Sequence, residues 1–104
     1  MSQTQYCSIV KPIELISDTW TLLIIKSLLT GTKRFNELKN EIEAINNRTL
    51  SARLKFLAEK GLVIRRVSLT TTPPSVKYTL TPLGKGIEPI LNEIEKFGNK
   101  FLCE

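Results

Sequence analysis

The sequence predicts a mainly α fold with a small β-hairpin wing, a winged helix-turn-helix in the order α-α-α-α-β-β-α. Three observations carry this expectation. Two amphipathic helical segments meet at Asn46-Asn47, the apolar period switches from helical to two after Gly61, and a long apolar stripe follows Thr81-Pro82.

Pro12 suits the first turn of a short helix ending near Ile16, with Ile9, Ile13 and Ile16 on one side. The segment Thr19 to Leu29 reads as a second helix. Its apolar residues Trp20, Leu22, Leu23, Ile24, Ile25, Leu28 and Leu29 occupy nearly the whole circumference, which marks a helix enclosed by its neighbours, and Gly31 stops it. Phe35, Leu38 and Ile42 follow helical spacing. Asn46 then supplies an N-cap for a fourth helix whose Leu50, Leu54 and Leu57 point inward at i, i+4 and i+7, with Gly61 as its stop. The pair spanning about 35–60 is the expected helix-turn-helix.

Leu62 to Val67 and Val76 to Leu80 read as strands joined by the polar loop Ser68 to Ser75, whose Pro73-Pro74 cannot continue a ladder. This wing occupies about 62–81. Thr81 caps a last helix with Pro82 at its first position, running to about residue 102 as one rod that Pro89 bends. Its stripe of Leu83, Ile87, Ile90, Leu91, Ile94, Phe97, Phe101 and Leu102 is longer than so small a core can cover, since a chain of 104 residues buries only about 60–65% of its unfolded surface. Two readings follow: the helix folds back on its own core, or it meets a second copy of the chain. The expected dimer interface is Ile9, Ile13, Ile16, Ile90, Ile94, Phe97 and Phe101.

The chain is expected to form one domain over 1–104. Neither a leader pattern nor a membrane-length apolar run is visible, which points to a cytoplasmic protein without membrane association. Two cysteines and no histidine imply no metal site and no disulfide framework. The formal charge is +5, and it is localised: Lys33 to Arg66 holds nine basic residues against four acidic ones, while the remainder balances at six and six. Such clustering suits a polyanion, because Lys and Arg displace phosphate counterions; a merely solvated basic face is the alternative. Catalysis lacks its parts: no histidine, no glycine-rich phosphate loop and no nucleophile elbow, so neither an enzyme nor a cofactor is expected.

With Leu50, Leu54 and Leu57 inward, Arg48, Ser51, Ala52 and Lys55 fall on the opposite side and Asn47 on the exposed first turn. In a recognition helix these residues meet base edges of double-stranded DNA: Arg48 suits guanine, Asn47 adenine, and the small Ala52 a thymine methyl. Ser51 and Lys55 suit bases or phosphates. Thr49 reads as a phosphate contact or a first-turn residue, and Lys33 and Arg34 as phosphate contacts. Arg53 has two readings, an ion pair with Glu37 or a phosphate contact. Thr70, Thr71, Thr72 and Lys77 belong to the wing and are expected at the DNA backbone or minor groove.

The stretches Trp20-Thr21-Leu22-Leu23-Ile24, Arg34-Phe35-Asn36-Glu37-Leu38, Arg48-Thr49-Leu50-Ser51-Ala52-Arg53-Leu54, Gly61-Leu62-Val63 and Tyr78-Thr79-Leu80-Thr81-Pro82-Leu83-Gly84 together resemble the HxlR family of transcription regulators. The resemblance covers about residues 7–97. It implies a winged helix-turn-helix that dimerises through its terminal helices and binds a pseudo-palindromic operator. It also implies that Cys7 stands where some members sense oxidants or electrophiles. The chain departs from that pattern at Ser8, where a proline is frequent, and at Ser17-Asp18-Thr19, which replaces a Gly/Lys-rich turn. Cys7 itself is expected about one turn ahead of the first helix, near its positive end, which favours an oxidisable thiolate; the other reading is a half-buried thiol packed against the last helix. The alternative for the whole protein is a winged-helix interaction module that does not read DNA. Nothing in the sequence identifies a small-molecule effector.

Overall fold

The computed structural model describes residues 3–103, with side chains from Cys7 onward. Helix α1 is Gln3–Ile16, α2 Thr19–Leu28, α3 Phe35–Glu41 and α4 Asn47–Glu59; β1 is Lys33–Arg34, β2 Val63–Ser68 and β3 Ser75–Leu80; α5 is Pro82–Lys85 and α6 Glu88–Phe101. The three strands form an antiparallel sheet in the order β1-β3-β2. The mainly helical fold with a β-hairpin wing is the one the sequence predicts. Four details differ.

First, α1 begins at Gln3 and carries Pro12 in its interior instead of its first turn. A proline costs an established helix one donor and a local bend, so it need not mark the start. Second, β1 adds a strand of only two residues, too short to show any period. Third, the C-terminal rod is broken. Gly86 and Ile87 close tight turns onto Leu83 and Gly84, with N···O distances of 3.2 Å each, and α6 starts afresh with Pro89 in its first turn, where a missing N–H costs nothing. Pro89 therefore begins a helix and does not bend one. Fourth, Ile16 packs half-buried against the core and leaves the exposed set predicted for a dimer.

The cause of the break lies in the junction beneath it. The Thr81 N–H donates to the Leu62 carbonyl at 3.0 Å, and its Oγ1 donates to the Gly61 carbonyl at 2.6 Å while accepting from the Gly84 N–H at 3.1 Å. Gly84 sits so close that a Cβ there would stand 2.3 Å from the Leu62 oxygen. The seam between α4 and β2 is thus stitched to the start of α5. Gly61 itself, at φ +78, lets the chain leave α4 for β2.

Ile24, Ile25, Leu28, Leu38, Ile42, Ile45, Leu50, Leu54, Leu57, Leu62, Val63, Tyr78, Leu80, Ile87 and Leu91 form one buried cluster. It is built around α2, as the all-round apolar pattern of that helix demands, although Leu23 is left 39% exposed. Asp18 caps α2 by accepting from the Thr21 N–H at 3.1 Å, and Lys26 pairs with Glu95 at 2.5 Å to tie α2 to α6.

Candidate nucleic-acid interface

Helix α4 is fixed from below and capped at its front. Leu50, Leu54 and Leu57 are buried, and Asn46 Oδ1 accepts from the Thr49 N–H at 2.8 Å, as the sequence predicts for an N-cap. Asn47, Arg48, Ser51, Ala52 and Lys55 are consequently exposed along one side of the helix, while Thr49 is half-buried. Among the described residues no ion pair engages Arg48 or Lys55. The face offers free donors on a rigid support, the arrangement that base and phosphate recognition requires.

Arg53 does not pair with Glu37, the protein partner weighed from the sequence. Its guanidinium lies 3.9 Å from Asp18 and 5.1 Å from the Phe56 ring centroid, steering α4 toward the α1–α2 corner. Glu37 is occupied elsewhere, since its carboxylate accepts from the Arg34 N–H at 3.0 Å at the start of α3.

Lys33 is corrected most sharply. Its side chain is only 11% exposed, and its ammonium donates to both carboxylate oxygens of Glu41 at 2.6 Å, to Thr30 Oγ1 at 2.7 Å and to Ser27 Oγ at 3.2 Å. The Ser27 hydroxyl also donates to Glu41. A cation so enclosed cannot reach a phosphate. It pins β1 between α2 and α3, and the hydrogen bonds from Lys33 and then Ser27 hold the Glu41 carboxyl below its ordinary value.

Arg34, one residue on, is exposed. It lines a hollow of about 550 Å³ with Thr70, Thr71 and Lys77, and one of about 390 Å³ with Thr71 and Thr72. The fold therefore gathers the predicted wing residues around Arg34. Arg66 lines the larger hollow too, a candidate missed although it belongs to the basic cluster. The available signal was the pairing of β2 with β3, which sets Arg66 opposite Lys77.

The terminal helices carry the remaining predicted residues. Ile9 and Ile13 on α1 are about half exposed, as are Ile90, Ile94, Phe97 and Phe101 on α6. The two helices share a hollow of about 360 Å³ lined by Pro12, Leu15, Ile87 and Ile90. Cys7 is exposed and lies inside α1, so neither the helix-end placement nor the packed, half-buried thiol describes it.

A capped helix with a free basic face beside an antiparallel wing defines a winged helix-turn-helix protein. A sequence model of the HxlR-like helix-turn-helix family matches residues 15–104, and the chain belongs to that family. The uncharacterized HTH-type transcriptional regulator YvaP of Bacillus subtilis (strain 168) is 37% identical over 103 residues, which span 98% of this chain and 94% of YvaP. A crystal structure of a MarR-family transcriptional regulator from Porphyromonas gingivalis W83 matches with a TM-score of 0.88 at 39% identity, over 98% of both chains. The redox regulator HypR in its oxidized form matches with a TM-score of 0.83 at 31% identity, over 90% of this chain and 96% of HypR. The protein is thus an HTH-type transcriptional regulator. Among its described residues no helix is long and apolar enough to cross a membrane.

Proposed function

We propose that the protein acts in the cytoplasm as a homodimer that binds a pseudo-palindromic DNA operator through α4. The observation that carries this reading is the exposed set Asn47, Arg48, Ser51, Ala52 and Lys55 on a helix whose other face is locked in the core. Base-reading falls to Asn47 and Arg48, with Ser51, Ala52 and Lys55 beside them; Thr49 and the wing residues Thr70, Thr71, Thr72 and Lys77 follow the sugar-phosphate backbone with Arg34. The apolar faces of α1 and α6 join the protomers and hold the two recognition helices about 34 Å apart, one duplex turn.

Fluorescence anisotropy on the region upstream of its own gene, against a scrambled duplex of equal length, tests the reading. Preference for the upstream duplex is expected. Equal weak binding to both, or none, would favour the interaction module.

A second element is oxidant control through Cys7, supported by its exposure on α1 and by the likeness to a protein described as a redox regulator. A peroxide would transfer one oxygen to the Cys7 sulfur, leaving a sulfenic acid and releasing water or an alcohol. Placed on a subunit-joining helix, that polar group would alter the angle between recognition helices. In a Cys103→Ser background, peroxide should change operator affinity, and Cys7→Ser should abolish the change. Unaltered affinity with Cys7 oxidised by mass spectrometry would remove the switch.

A further inference from the structure

Leu23 departs from the pattern of its helix, since the all-round apolar stretch of α2 predicts enclosure and this residue is left open. It walls a hollow of about 460 Å³ with Ser27 and Thr30 of the same helix and with Glu41, Ile42 and Glu43 at the end of α3. That volume falls within the roughly 300–1,000 Å³ of small-molecule sites. The hollow shares no residue with the exposed face of α4 or with the outward apolar residues of α1 and α6. Its charges are uneven. Glu41 is neutralised by Lys33, and Lys26, which also lines the hollow, is held by Glu95. Glu43 is exposed, and among the described residues no ion pair engages it. An apolar wall of Leu23 and Ile42 thus stands beside one uncompensated carboxylate, in a chain whose net charge is +5.

We infer that this hollow binds a small amphiphilic organic cation, an ammonium on an alkyl or aryl body, and that its occupancy alters the affinity of α4 for DNA. The apolar body covers Leu23 and Ile42 while the ammonium pairs with Glu43. An anion of the same shape meets the carboxylates of Glu41 and Glu43 and is disfavoured. The route to α4 is short. Glu43 precedes Ala44, whose φ of +72 sets a residue with a side chain in the left-handed region, then the buried Ile45, then Asn46, the cap of α4. A ligand that engages Ile42 and Glu43 therefore acts on the turn that aims the recognition helix, and it shifts DNA affinity to the extent that it prefers one setting of that turn. This control of α4 rests on the operator binding proposed above; the binding step does not.

The test uses the full chain and three probes with one aryl body: phenethylammonium, the neutral phenethyl alcohol and the anion phenylacetate. Calorimetry on the DNA-free protein should show the cation binding about two- to fivefold more tightly than the alcohol, as an exposed ion pair allows, with phenylacetate weakest. Glu43→Gln should lower the cation to the affinity of the alcohol, whereas Glu93→Gln, in the apolar groove of α6, should change nothing. On the upstream duplex, saturating phenethylammonium should shift affinity about fivefold or more in the wild type and not in Glu43→Gln, against ammonium chloride of equal ionic strength. If the cation binds no more tightly than the alcohol, or if Glu93→Gln and not Glu43→Gln removes its preference, the site is overturned. If the cation binds through Glu43 while operator affinity holds, the control of α4 is overturned and the proposed function stands. If the wild type binds no duplex, the proposed function falls with the control of α4, and calorimetry alone decides the site.

Discussion

On α4 the apolar residues Leu50, Leu54 and Leu57 are sealed in the core, whereas on α6 Leu91 alone is buried and Ile90, Ile94, Phe97 and Phe101 face outward. Both helices are two-faced along their length. They differ in which face the fold leaves over. Helix α4 leaves its polar, basic side free and α6 its apolar side, so the leftover faces match the two partners proposed above: an anionic one for α4, an apolar one for α6. The pair Phe97 and Phe101, with ring centroids 5.2 Å apart, gives α6 a ready aromatic anchor.

That contrast breaks first at α6. Ile94→Asp combined with Phe101→Asp should convert the proposed dimer to a monomer at micromolar concentration, because each carboxylate trapped in the interface costs several kcal/mol. Both positions are exposed in the single chain, so circular dichroism should show an intact fold. A double variant that still sediments as a dimer would mean that α6 is not the interface. Next, Leu50→Ala, at a site with no exposure, should cost about 2–5 kcal/mol of folding stability by denaturant titration, whereas Ile94→Ala should leave a dilute monomer almost as stable as before. Equal losses at the two sites would erase the distinction between the helices.

Arg48→Ala should cost about 1–3 kcal/mol on the operator and relax preference at one base position. Identical losses on operator and random duplex would reassign Arg48 to the backbone. Lys33→Ala, in contrast, should leave the salt dependence of binding untouched and loosen the fold, since its charge is spent on Glu41.

The smallest effect concerns pH. The Glu41 carboxyl is held below its ordinary value, principally by the Lys33 ammonium and then by Ser27, so its contribution is present above the unfolded carboxylate value of 4.5. It is lost as pH falls through the depressed folded value. Thermal melts from pH 6 down to pH 3 should therefore fall more steeply for the wild type than for Glu41→Gln. Parallel curves would show that the contact stabilises nothing.

Much of this was legible in residue order. The Asn46 cap, the inward leucines of α4, the Gly61 stop and the Thr81-Pro82 start all depend on neighbours a few positions away, and the structure bears them out. What escaped depends on partners distant in sequence. Strand β1 exists only by pairing with β3, some forty-four residues downstream, and Lys33 is buried only because Glu41 and Ser27 converge on it. The end of α5 is set by the contact of Gly84 with Leu62, which no local pattern encodes. Pro12 misled because a proline is equally at home starting a helix or bending one. The same distance rule hid Arg66, whose partner across the sheet is the cation Lys77.

The stitched junction at Gly61–Leu62 and Thr81–Gly84 behaves as a rivet between two levers. One arm is α4, ending at the joint, and the other is α6, leaving it after the short α5. Three hydrogen bonds and a contact too tight for a methyl group hold the hub, which leaves little slack between α6 and α4. In the proposed dimer, joined through α6, interface stiffness would become pitch: the spacing between recognition helices would be machined at the hub of each subunit, with a glycine without room for one carbon as its bearing.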